Sequence, residues 1–77
     1  MPTVLTDGPY RFFFYSNEGS EPPHVHVEYQ GQAAKIWLDP IDVARDGGLS
    51  VHMGRIIAII QMHQTQLIGE WNAYFAP

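Results

Sequence analysis

The sequence predicts an α+β domain, a three- or four-stranded antiparallel meander packed on one long C-terminal helix. Three observations carry that expectation. Residues 24–30, HVHVEYQ, alternate polar and apolar with the period of two of a half-buried strand. Turn signals at Gln30-Gly31-Gln32, Asp39-Pro40 and Asp46-Gly47-Gly48 punctuate the middle of the chain at meander spacing. From Val51 onward, Met53, Ile56, Ile57, Ile60, Gln64, Leu67, Trp71, Tyr74 and Phe75 recur at intervals of three and four, one face of a helix.

Taken in order, residues 10–16, YRFFFYS, are mostly aromatic and predict the first strand, announced by Gly8-Pro9. Asn17-Glu18-Gly19-Ser20 with Pro22-Pro23 reads as a loop, and the prolines hold their neighbourhood extended. Strands follow at 24–30 and 33–38, with a shorter one at 41–44. Ser50 is placed as the N-cap of a helix over 51–75. Gly54 and Gly69 weaken that helix by roughly 1 kcal/mol each relative to alanine. As one rod it would run about 37 Å, against a radius of gyration of about 11 Å for a domain of this size. Either the helix breaks near Gly69, or its end overhangs onto a second chain. The apolar positions Trp71, Tyr74 and Phe75 favour the overhang.

Seventy-seven residues make one domain, 1–77, with a small core. With no cysteine, disulfides and thiolate zinc sites are excluded, which leaves a histidine/carboxylate metal or oligomerisation as added support. The formal charge is −4 and the only strong cations are Arg11, Lys35, Arg45 and Arg55, a balance that disfavours RNA or DNA as partner. No apolar run reaches membrane-span length and the N-terminus has no signal-peptide pattern, so the expected location is cytoplasmic.

Register follows from matching apolar faces. Val25 belongs beside Ile36 and Val27 beside Ala34, which sets His24 near Trp37 and His26 near Lys35 on the opposite, outward face. If Tyr10, Phe12 and Phe14 face the helix, then Arg11, Phe13 and Tyr15 join the histidines. An outer face bearing Phe13, Tyr15, Trp37, His24, His26, Arg11 and Lys35 is too aromatic to lie bare. It is expected to be covered by a second subunit, another protein or stacked bases.

The stretches GPYRFFFYSNE, EPPHVHV and AKIWLDP, followed by a helix carrying His63 and Trp71, closely resemble a bacterial family catalogued as domain of unknown function 4160. The matching positions are Pro22, Pro23, His24, His26, Lys35, Trp37, Asp39, Pro40, His63 and Trp71. Such proteins are often encoded beside a second small protein in pairs proposed as toxin–antitoxin modules, so the resemblance implies a partner protein before it implies a reaction. Where relatives look rich in Arg and Glu, this helix has Gly54 and the apolar run 56–60, which favours its burial in an oligomer.

Three functions compete for the same face. The foremost is a protein–protein interaction module, homo-oligomeric or bound to a neighbouring-gene product, with Arg11, Phe13, Tyr15, Trp37, Trp71, Tyr74 and Phe75 as interface residues. The second is a metal-independent ribonuclease toxin. There His24 and His26 would move protons, Lys35 would stabilise the phosphorane, and Trp37 or Tyr15 would stack a base. The third is a metal site. Residues i and i+2 of a strand project side by side about 6.6 Å apart, so His24 and His26 can share a zinc or nickel ion with Glu28 on the same face. Glu21 or His63 could complete it. No other cofactor is expected. His63 reads as a partly buried, satisfied histidine and His52 as solvated.

Overall fold

The computed structural model describes residues 3–76. Its sheet is an antiparallel meander of five strands in sequence order, β1 (Thr3–Asp7), β2 (Tyr10–Phe13), β3 (His24–Tyr29), β4 (Gln32–Leu38) and β5 (Ile41–Arg45). A 3₁₀ turn over Ser50–His52 leads into α1 (Met53–Met62), and α2 (Gln64–Phe75) completes the chain. The α+β class and the meander agree with the sequence expectation, with one more strand than its upper limit. That strand is β1, an edge strand with mostly exposed side chains. It folds back on β2 through the two-residue turn Gly8-Pro9, pairing Asp7 with Tyr10.

The expected register between β3 and β4 holds at every position, with Val25 opposite Ile36, Val27 opposite Ala34, His24 opposite Trp37 and His26 opposite Lys35. Their connection is a two-residue turn in which Gln30 and Gly31 both have positive φ, +49° and +79°. This is the backbone whose twist suits a tight hairpin. After β5, Gly47 runs so close to β4 that a Cβ would lie 1.8 Å from the Ala33 carbonyl oxygen. Only glycine fits there, and the turn delivers Leu49 into the core.

The core lies between one sheet face and the helices. Tyr10, Phe12, Phe14, Val25, Val27, Ala34, Ile36 and Leu38 meet Leu49, Ile56, Ile60, Leu67 and Trp71, all buried. The first predicted strand is shorter than expected, ending at Phe13 rather than at 16. Phe14 turns into the core against Trp71, their ring centroids 5.4 Å apart, and residues 15–23 lie outside the strands.

The helical segment also departs from the expectation. Ser50 does not cap it, since neither helical start has a side-chain cap. The break falls at His63 rather than near Gly69. His63 has φ −113° and its N–H is shared between the Ile59 and Ile60 carbonyls, a local loosening of the helical ladder of the kind that bends helices. Gln64 then anchors the new direction by donating from Nε2 to the Leu38 carbonyl at 2.7 Å. The bend lets Ile56, Ile60, Leu67 and Trp71 all reach the same sheet, and the radius of gyration is 11.4 Å. The end of α2 does not overhang. Trp71 is 4 % exposed, Phe75 packs on it at 4.2 Å, and Tyr74 is left partly in solvent.

Candidate functional site

On the other sheet face, β2 and β3 bring Phe13 and His26 together as ordered by their cross-strand pairing. The rings stack at 5.5 Å, and Tyr15 meets His26 edge-on at 4.5 Å. Trp37 lies 5.4 Å from His24. The predicted aromatic face therefore exists, with Tyr15 and Trp37 partly exposed, but its histidines are closed off. His24 is 0 % and His26 2 % exposed. The histidines do lie opposite Val25 and Val27 as expected, but what covers them is not another molecule: residues 15–23 of the chain itself fold back across them. From the other side Trp71 reaches to 4.7 Å from the His24 ring. Two prolines at its end hold this return path extended, and Leu38 donates its N–H to the Pro23 carbonyl at 3.0 Å.

The cover carries the acid that completes the cluster. Glu18 Oε1 lies 2.8 Å from His24 Nε2 and 2.7 Å from His26 Nε2. These ligand-type atoms, one from each residue, all fall within 4.8 Å of one another. Glu18 was not among the sequence candidates, which weighed Glu21 and Glu28. The signal that could have found it is an acidic residue in a turn-rich segment directly before the PPHVH motif. No periodicity places a loop side chain, however.

Glu28 is not part of the cluster. Its carboxylate accepts from Arg11 Nη2 at 2.7 Å and Nε at 2.9 Å. The i, i+2 pattern put it on the right face, but its cross-strand neighbour Arg11 claims it. Glu21 takes Lys35 at 2.6 Å, so the cation proposed for phosphoryl chemistry is already paired; its Nζ also sits 4.6 Å over the Trp37 ring. His63 stays outside, with Nδ1 3.4 Å from Gln66 Oε1. His52 is half-buried rather than simply solvated. It lies between Tyr10, whose hydroxyl is 3.1 Å from Nδ1, and Tyr29, 4.4 Å away ring to ring.

The hydrogen bonds constrain protons. His24 Nδ1 faces the Pro22 carbonyl oxygen at 2.9 Å, and a carbonyl only accepts, so Nδ1 carries a hydrogen. Its Nε2 then meets a carboxylate oxygen. Three arrangements satisfy that contact: an imidazolium donating from both nitrogens, a neutral ring accepting from a protonated Glu18 carboxyl, or a neutral ring giving its Nε2 lone pair to a cation shared with Glu18. Burial holds the His26 imidazole below its ordinary 6.5, although the Glu18 hydrogen bond works the other way. Partial burial pushes Glu18 up, but hydrogen bonds from His24 and His26 and their positive charge outweigh it and leave the carboxyl below 4.5. His26 Nδ1 is buried without a hydrogen-bond partner among the described residues.

Two imidazoles and one carboxylate form a donor set suited to zinc, nickel and related divalent ions, with room in the coordination shell for a further ligand. The N···O separations here are hydrogen-bond lengths. Tetrahedral zinc, with bonds of about 2.0–2.1 Å, needs them to open to roughly 3.3 Å. Glu18 stands on a loop and can give that half-ångström, while the histidines stand on a central strand.

No helix among the described residues is long and apolar enough to cross a membrane. No curated protein and no solved structure matches the chain. A family match covers residues 10–72, the span that holds Glu18, His24, His26, Lys35, Trp37 and Trp71. On that match the chain belongs to the family described as Domain of unknown function (DUF4160).

Proposed function

We propose that the chain is a small metal-binding protein that holds one divalent transition-metal ion, zinc or nickel in class, through Glu18, His24 and His26. The observation that carries this reading is the convergence of His24 Nε2, His26 Nε2 and Glu18 Oε1. The Pro22 carbonyl supports it by fixing the His24 tautomer that points its Nε2 lone pair at Glu18, the outer-shell arrangement typical of a metal-bound histidine. His26 lacks such support, because metal on Nε2 requires a hydrogen on the unpartnered Nδ1. A missing outer-shell partner typically weakens binding by about 10–100-fold, so moderate rather than very tight affinity is expected. Calorimetric titration of zinc into chelator-treated protein tests the reading, with single alanine variants of Glu18, His24 and His26. One equivalent of zinc with at least tenfold weaker binding in each variant is the expected result. Heat absent from the wild-type titration would refute it.

The ribonuclease reading asks for His24 and His26 at an RNA phosphate. Both are buried under the chain's own loop, and Lys35 is held by Glu21, so this geometry favours it less. An interaction module remains the second reading, as a homo-oligomer or bound to the product of a neighbouring gene in a toxin–antitoxin pair. What supports it has moved from the aromatic face to α1 and its approach, where Val51 is 92 % and Met62 81 % exposed. Solution mass and a pull-down with the adjacent gene's product address it; a monomer that captures nothing would count against it.

A further inference from the structure

The proposed ligands are split between two parts of the fold. His24 and His26 stand buried on β3, the central strand, His26 paired on both sides and His24 with β4. Glu18 stands on residues 15–23, which lie outside the strands and fold back across the histidines with Ser16, Asn17, Gly19, Ser20 and Pro22 exposed. Apart from Glu18, this cover is fastened mainly at its ends. Tyr15 meets His26 edge-on at 4.5 Å, the Pro22 carbonyl accepts from His24 Nδ1 at 2.9 Å and the Pro23 carbonyl accepts from the Leu38 N–H at 3.0 Å. Residues 16–21 between them have few fastenings. Glu21 reaches Lys35 at 2.6 Å, and Gly19 rests on Phe75, so close that a Cβ would lie 2.6 Å from its ring. We propose that the metal ion is a clasp: by joining Glu18 to the histidines it holds the cover down. Metal occupancy then controls whether Phe13, His24 and His26 are sealed or accessible. The proposal rests on the metal-binding reading and adds regulation to it.

A metal bond between loop and strand replaces contacts that water can otherwise compete for, so it acts on the local opening of the cover more than on the sheet. Opening would also release Phe75, because Gly19 is one of its supports, and so loosen the last turn of α2. The molecule carries its own reporter. Both tryptophans, Trp37 and Trp71, contact the His24 ring, at 5.4 and 4.7 Å.

Amide hydrogen exchange of residues 16–21, with tryptophan fluorescence in parallel, is measured on chelator-treated protein with and without saturating zinc. Exchange in the cover should slow by about tenfold or more and the fluorescence should change over the same titration. In Glu18→Ala the histidine pair remains, but zinc should give the cover no protection; Glu18→Gln serves the same purpose if the alanine variant does not fold. Zinc that binds the wild type calorimetrically while exchange in residues 16–21 stays unchanged overturns the clasp and leaves the metal site standing. Equal protection in the Glu18 variant overturns it too. Absence of zinc binding removes the metal site itself, and the clasp with it.

Discussion

Along His24–Val27 the central strand is buried on both faces, by opposite means. On the helix face, Val25, Val27, Ala34 and Ile36 are fully buried against apolar helix side chains. On the other face, His24 and His26 are as deeply buried, but beneath a nine-residue excursion pinned by a carboxylate. Apolar packing is non-directional and tolerant, so one face is stabilised by area. The other depends on a few polar atoms in the right places, each costly if its partner is lost. An alternating strand thus announces two faces, but not what closes the polar one.

The largest expected effect lies on the apolar face. Ile36 sits at the centre of β4, fully buried, opposite Val25 and between β3 and β5. Ile36→Ala should cost about 2–5 kcal/mol, measured as a shift in the urea midpoint at constant slope. It should leave zinc stoichiometry intact in whatever fraction stays folded. A loss below about 1 kcal/mol would mean that this face is packed more loosely than its burial indicates.

Glu18→Ala tests the polar face, and a smaller effect is expected. Removing the shared acceptor leaves two buried imidazoles without it, at a cost of about 1–3 kcal/mol in metal-free protein. Acid should mimic part of that loss. In the folded state His26 is held below 6.5 and Glu18 below 4.5, so in each window the unfolded chain binds more protons than the folded one. Stability contributed by His26 is therefore full above pH 6.5 and declines as pH falls below it; the contribution of Glu18 is full above 4.5 and declines below that. Urea midpoints from neutral pH downward should fall in both windows for wild type, and for Glu18→Ala the lower window should be flatter. Identical pH profiles would show that the carboxylate contributes nothing to holding the cover.

This contrast also explains what the sequence made legible. The β3–β4 register and the helix-facing core follow from periodicity, because a one-residue slip would exchange Val25 and Val27 for the histidines. The facing of Phe13 and Tyr15 with His26 follows the same rule. Periodicity has nothing to say about β1, whose five residues are mostly exposed, or about the helix bend at His63, which Gln64 secures through a distant carbonyl. Nor can it place Glu18, since a loop side chain has no period. The strand pattern reveals the histidines; their partner belongs to the cover, which has no pattern to reveal it.

The smallest expected effect separates the two carboxylates directly. Glu28 has the spacing of a third ligand, two residues beyond His26, yet it forms a half-exposed pair with Arg11. Glu18 has no such pattern and makes both histidine contacts. Exposed ion pairs contribute about 0–1 kcal/mol, so Glu28→Gln should change stability by less than that. A metal site built on the loop carboxylate also requires that Glu28→Gln leave zinc affinity within about twofold of wild type, while Glu18→Gln weakens it by about tenfold or more, since the amide is a poor substitute for the carboxylate. Calorimetry on the two variants, run side by side, decides between them. A tenfold loss in Glu28→Gln would return the ligand to the strand. The cover would then be a lid that metal leaves untouched, and the distinction between the two faces would rest on packing alone.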